Sequence, residues 1–293
     1  MKHTPYDGSS KPFTIGLVQL EPDRWIEPDD DALDFYLSEK ARLMQASRES
    51  IFMAQAGTDA AQRELLGALT EYLPRRYPGI YRREDAAMIV NGRRVALDRD
   101  APLLAAGSLV QDDLAIMERK DGDWRLTAAY VAFPSSWSLA EKFGRPMHEI
   151  HAPVPGFEEG SRNAELITRM FDNLPPGRFV ERFNWAINVD GALHLPKSKS
   201  EGIGAEAVAL SEDGTFVRIE RQTLRKMPET GAIVFTIRIY SDPLAVLRKR
   251  PDAATLARSF VNQLRELTTP QAAYKGLVSK REALVAALLA IAG

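Results

Sequence analysis

Residues 114–133 read LAIMERKDGDWRLTAAYVAF. Two runs rich in apolar and aromatic residues, 114–118 and 124–133, flank Asp121-Gly122, a pair suited to a tight turn. This arrangement predicts a β-hairpin. Residues 86–97, AAMIVNGRRVAL, repeat the pattern around Asn91-Gly92, the strongest short hairpin signal. Further strands are expected at 184–189, 216–221 and 233–240, where β-branched and aromatic residues are enriched. Asp190-Gly191 and Asp213-Gly214 mark turns beside two of them.

On either side of these strands the period changes. A short apolar segment, 13–25, is cut by Pro22, and the acidic stretch 27–31 leads into a helix. Leu33, Tyr36, Leu37, Met44 and Ile51 recur there at helical spacing. Thr58 is placed to cap a second helix carrying Leu65, Leu66, Leu69, Tyr72 and Leu73, which Pro74 is expected to end. At the other end, 243–249, 253–267 and 281–292 are candidate helices. Helices first, antiparallel strands in the middle and helices last predict an α+β fold. No repeat, low-complexity segment or linker interrupts the chain, so a single domain over residues 1–293 is expected.

Composition narrows the chemistry. The 38 Lys and Arg nearly balance the 40 Asp and Glu, giving a net charge of −2, which argues against a dedicated nucleic-acid binder. The chain has no cysteine, which excludes disulfides, Cys-ligated zinc, Cys-held iron–sulfur clusters, a Cys nucleophile and thiolate-ligated haem within it. Any transition metal depends on His3, His148, His151, His194, carboxylates or other nitrogen and oxygen donors. Residues 1–10 lack the apolar stretch of a signal peptide, and the run 283–292 is too short to span a bilayer. A cytoplasmic protein without membrane association is expected.

Three of the four histidines lie between 148 and 194, and two of them fall in the unusual stretch 135–157, SSWSLAEKFGRPMHEIHAPVPGF. Ser138 and Glu141 have capping-box spacing, Gly144 suits a helix stop, and Pro146 suits the start of another turn. Pro153 and Pro155 force an extended exit. His148 and His151 therefore occupy a short, proline-bounded segment. Their spacing of three fails the His-Glu-x-x-His zinc-protease pattern, because the fourth residue after His148 is Ala152. No Gly-x-Ser-x-Gly elbow exists, and Gly202-Ile203-Gly204 lacks the third glycine of a dinucleotide loop.

A second dense stretch, 218–228, reads RIERQTLRKMP. Strand alternation puts Arg218, Glu220 and Gln222 on one face and Ile219 and Arg221 on the other. An arginine on an apolar face needs an acid or a bound anion. Both an internal Glu–Arg pair and an anion site fit.

Trp137, Lys142, Gly144, Pro146 and the run 151–156, HAPVPG, together resemble the haem-dependent oxidative N-demethylase family. So do the run 220–224, ERQTL, with Pro228 and the strand 233–239 after it. Pro12-Phe13, Gly16-Leu17 and Trp25 are similar to that family's start. The resemblance spans about residues 12–245. It implies a PAS-like antiparallel sheet, about residues 85–240, wrapped by N- and C-terminal helices and carrying haem b. It also implies O2-dependent demethylation of a small secondary or tertiary amine, such as dimethylamine, with release of formaldehyde. Electrons would come from NADPH through separate flavin and ferredoxin-type iron–sulfur reductase subunits. The alternative is a PAS-like haem-binding sensor without turnover.

The resemblance gives the residues their expected roles. Without cysteine, an imidazole is the leading ligand for haem iron. His151, inside the matching run, is the first choice, and His148 the second. Glu149 or a backbone carbonyl would orient the ligand's other ring nitrogen. Lys142, Arg145, Arg221 and Arg225 are candidates to hold the haem propionates. Trp137 and Trp185 either flank the macrocycle or belong to the core. Glu220 is the candidate carboxylate for binding the amine and accepting its proton, with pairing to Arg218 or Arg221 as the alternative.

Overall fold

The structure is a computed structural model that describes residues 1–197 and 211–293. Gly202-Ile203-Gly204 lies outside the described residues. Mixed helix and antiparallel sheet make the fold α+β, with one seven-stranded and one three-stranded sheet.

The small sheet contains β3 (Tyr81–Glu84), β4 (Ala87–Val90) and β5 (Arg93–Ala96). Asn91 and Gly92 join the last two with φ of 47° and 80°, the left-handed pair that a two-residue hairpin turn demands. The hairpin of the large sheet, β6 (Asp113–Lys120) and β7 (Asp123–Tyr130), turns in the same way at Asp121 (φ 53°) and Gly122 (φ 87°). Its other strands are β1 (Val18–Leu20), β2 (Phe52–Ala54), β8 (Phe179–Asn188), β9 (Phe216–Lys226) and β10 (Ile233–Pro243). They lie in the order β1-β8-β9-β10-β6-β7-β2. Both edge strands thus come from residues before the central hairpins, and they leave five long strands inside.

β8 and β9 are longer than their local patterns predict, because each finds a full-length antiparallel partner. β8 pairs with β9 from Phe179↔Arg225 to Asn188↔Phe216. Ladder pairing of this length overrides weak local propensity.

Helices cover both faces of the large sheet. α1 (Leu33–Ala46), α3 (Asp59–Arg76) and α4 (Pro102–Gly107) bury Leu37, Leu65, Leu69 and Leu103 against Ile116, Ala128 and Val234. The predicted first helix breaks at Ser47, and a separate turn, α2 (Arg48–Ile51), carries Ile51. Pro74 does not end α3. Only its own missing N–H is lost, and the Tyr77 N–H donates to the Leu73 carbonyl at 2.8 Å to close the last turn. Thr58 precedes α3 without capping it through its side chain.

At the sheet's other end, α8 (Ala253–Glu266) and α10 (Arg281–Ala292) bury Phe260, Leu264, Leu284 and Leu288 with Trp185, Val217 and Ile219. The predicted helix at 243–249 is a 3-10 turn, Leu244–Lys249, because β10 runs on to Pro243. Among the described residues no helix is long and apolar enough to cross a membrane.

The opposite face is covered by α5 (Leu139–Lys142), α6 (Met147–His151) and α7 (Arg162–Asn173), all inserted between β7 and β8. α7 follows the i, i+3, i+4 rule with Ile167, Met170 and Phe171, which pack toward Trp124, Leu126 and Leu224. Between these helices and the sheet the core is incomplete, and a cavity remains.

Candidate functional site

The cavity has a volume of about 780 Å³, within the range for small-molecule and cofactor sites. Its floor is the sheet. Alternation sends Arg182 and Asn184 of β8, and Glu220, Gln222 and Leu224 of β9, toward it. Phe235 and Ile237 of β10 and Met117 of β6 continue the floor as an apolar surface. Its roof comes from the segment between β7 and β8 together with α7. Near the mouth stand Phe13, Ile15 and Leu17, which precede β1, and Tyr274 from α9 (Thr269–Tyr274). The Phe13 and Tyr274 rings meet edge to face, 5.7 Å between centroids.

A set of buried anchors fixes the chain where it leaves the sheet for the roof. The Asp113 carboxylate accepts the backbone N–H groups of Ala132 at 2.8 Å and Phe133 at 2.9 Å. Arg218 donates to the carbonyls of Phe133 at 2.8 Å and Ala192 at 3.2 Å. His194 Nδ1 lies 2.7 Å from the Ala132 carbonyl, so this histidine supports the segment. Arg218 is thereby spent on carbonyls.

The capping box forms as its spacing predicts. The Ser138 N–H donates to Glu141 Oε2 at 3.1 Å, and α5 is the single turn that follows. Gly144 then reverses the chain at φ 75°, and Pro146 stands at the N-cap of α6. Two short turns thus present Lys142 and His151 to the same cavity. The Lys142 ammonium lies 4.3 Å from the centroid of the Trp137 ring, which also lines the cavity. Burial pulls the ammonium down to about 8, against the opposing charges of Glu220 and Glu141.

His151 ends α6. Its Nδ1 lies 2.9 Å from the Met147 carbonyl, one helical turn back. A carbonyl can only accept, so Nδ1 carries the proton and Nε2 keeps its lone pair. Burial lowers the imidazole to about 4, with the charges of Lys142 and Arg182 acting in the same direction and the Met147 bond against it. The ring is therefore neutral at pH 7, the form that binds a metal. The orienting partner is this carbonyl and not Glu149, whose carboxylate lies 3.7 Å from Arg145. Nε2 has no hydrogen-bond partner among the described residues.

The other sequence candidates are placed elsewhere. His148 is half-buried on the same helix but does not line the cavity, and Arg145 is exposed. Arg221 and Arg225 project from the opposite face of β9. Arg221 is fully buried, donating to Glu181 at 3.0 Å and to the Trp25 carbonyl at 3.0 Å. Arg225 lies 4.8 Å from the ring centroids of both Trp25 and Phe179. Trp185 borders the cavity, but its ring is buried against Phe260 in the helical layer and its indole N–H donates to Gln263 at 3.0 Å.

Glu220 is in the cavity floor. It pairs with neither Arg218 nor Arg221: its carboxylate accepts from the side-chain amides of Gln222 at 2.8 Å and Asn184 at 3.4 Å. Arg182, across the strand from Gln222, was missed in the sequence because the strand prediction began at 184. The apolar face formed by Phe183, Trp185 and Ile187 could have extended the strand back to it. Among the described residues no group of three or more His, Asp or Glu could hold a metal ion.

This assembly joins a neutral imidazole, a large partly apolar cavity, the cations Lys142, Arg182 and Lys275, and the carboxylates Glu141 and Glu220 in one chamber. A family model described as haem-dependent oxidative N-demethylase, alpha subunit-like, matches residues 16–285, nearly the whole chain, and the chain belongs to that family.

Proposed function

We propose that the cavity holds haem b, with His151 Nε2 as the protein's ligand to iron, and that the protein demethylates a small secondary or tertiary amine such as dimethylamine. The observation that carries this reading is the state of His151: neutral, with Nδ1 committed to the Met147 carbonyl and Nε2 left without a partner at a chamber of cofactor size. The fit extends to the walls. Met117, Leu224, Phe235 and Ile237 offer an apolar surface to a macrocycle, and Trp137 is placed to flank it. The PAS-like reading of the fold is supported by the five inner antiparallel strands with α5–α7 between the second and third of them.

When bound, the haem would supply O2 activation for oxidation of an N-methyl group. The net reaction consumes O2, two electrons and two protons, and yields the shortened amine, formaldehyde and water. The chain's own residues bind and orient. The Glu220 carboxylate, steadied by Asn184 and Gln222, takes up the cationic amine and accepts the proton that masks its lone pair. The apolar walls limit the water that reaches this pair. The electrons come from NADPH through flavin and ferredoxin-type reductase subunits, a reading supported by the alpha-subunit description and by the absence of cysteine from this chain.

The visible spectrum tests the cofactor. After haem supplementation the wild-type protein should show a Soret band, His151→Ala should lose the haem or shift the band strongly, and His148→Ala should keep it. No Soret band in the wild type would sink the reading. Turnover is tested by formaldehyde release from methylated amines with O2 and a competent electron donor, and Glu220→Gln should lower that release about 100-fold.

A further inference from the structure

We propose that Arg182 and Lys142 form a two-cation clamp for a ligand edge bearing two carboxylates, which in the cofactor reading above is the propionate edge of the haem. The inference rests on that reading and adds a residue to it, Arg182, from a strand whose sequence carries no known signal for the role.

The argument begins with charges that have no counterpart. Both side chains line the cavity, yet neither makes a hydrogen bond or an ion pair with an acid among the described residues. Nε of Arg182 is buried with no hydrogen-bond partner among the described residues. Lys142 rests only on the face of Trp137. Glu220 is the opposing charge that both of them feel, but its hydrogen bonds go to Gln222 and Asn184. Lys142 also feels Glu141, but that carboxylate holds the Ser138 N–H, so neither acid makes a hydrogen-bonded pair with either cation. Holding partly buried cations without a hydrogen-bonded acid is costly, and an arriving anion relieves that cost.

The elements bearing the two cations differ in kind, which is why they can act as a clamp. Arg182 stands on the sheet floor, fixed by the β8–β9 ladder, and offers a planar fork suited to a carboxylate. Lys142 ends the single turn of α5 in the roof and offers a point charge on a flexible stem. Both charges also act on the His151 ring, so clamp and metal ligand belong to one chamber. Arg145, Arg221 and Arg225 do not line it. With the clamp filled by a dianion, Arg182 and Lys142 are met by its carboxylates, and Glu220 is left to bind a cationic amine.

The test compares haemin with haemin dimethyl ester, in which both carboxylates are masked, by Soret titration of the full chain. Wild-type protein should bind haemin at least tenfold more tightly than the ester. Arg182→Gln and Lys142→Met should each weaken haemin binding about tenfold while leaving ester binding at the wild-type level, and Arg182→Lys should recover part of the loss. Ester binding also reports that each variant still folds around the cavity. Equal haemin affinity in the wild type and Arg182→Gln would overturn the clamp and leave the cofactor reading standing, as would equal weakening of haemin and ester. Failure of the wild type to take up either compound would overturn both.

Discussion

At the scale of single residues, Lys142 shows the cost of preparing a site. Its ammonium is held at about 8, below the ordinary lysine value near 10.4, because burial penalises the charged form. The sign follows from linkage. Between about pH 8 and 10.4 the unfolded chain binds a proton here that the folded chain does not, so folding stability rises with pH across that window. Lys142→Met keeps the aliphatic stem on Trp137 and removes the charge. In the haem-free protein it should therefore raise stability at pH 7 by about 2–3 kcal/mol, an advantage that fades as pH climbs toward 10.4. Urea unfolding of both proteins at pH 7 and pH 10 measures the difference. The same substitution should weaken haemin binding, so stability and affinity move in opposite directions. The place of His151 at the cavity was legible at this scale, since only His148 and His151 sit in the proline-bounded segment of a chain without cysteine. Arg182 was not, because its importance is the absence of a partner, which no local pattern encodes.

At the scale of elements, β9 carries two different chemistries on its two faces. Glu220 and Gln222 serve the cavity, while Arg221 braces the opposite side by tying the strand to Glu181 of β8 and to the carbonyls of Arg24 and Trp25. Arg221→Met should leave buried Glu181 with only the exposed Arg24 guanidinium, 4.0 Å away, and cost about 3 kcal/mol in urea unfolding. The preference for haemin over its dimethyl ester should stay unchanged, which separates a brace from a clamp. The alternation that splits these faces was readable in the sequence, as were both hairpins, because Asn91-Gly92 and Asp121-Gly122 demand left-handed backbone that few residues adopt cheaply. Strand length was less legible. The pairing of Phe179 with Arg225 depends on residues far apart in sequence, and nothing local fixes it. The amphipathic signal of α7, from Ile167 to Phe171, was present and overlooked beside the denser motif before it.

At the scale of the whole molecule, the large sheet separates an apolar core that encloses a few buried cations from the cavity. On the side away from the cavity, Lys40 donates to the carbonyls of Gly107 and Val110 at 3.0 Å each, and Arg238 lies 4.1 Å from the Tyr36 ring centroid. These groups support the fold, and none of them lines the cavity. Access to the chamber involves residues from distant parts of the chain, with Phe13 on one side and Tyr274 on the other. Phe13→Ala removes that edge-to-face contact, worth about 1 kcal/mol, and should speed haem loss roughly fivefold without moving the Soret maximum. Transfer of haem to apomyoglobin reads the rate.

The same wall sets an order of events during synthesis. Phe13 precedes every strand of the sheet and Tyr274 follows them all, so Lys142, His151, Arg182 and Glu220 are already translated before α9 emerges. A nascent chain that folds as it lengthens leaves one side of the chamber open until then. In that interval the sheet floor and the segment holding α5–α7 would form an open apolar dish, which α9 would wall off on emerging.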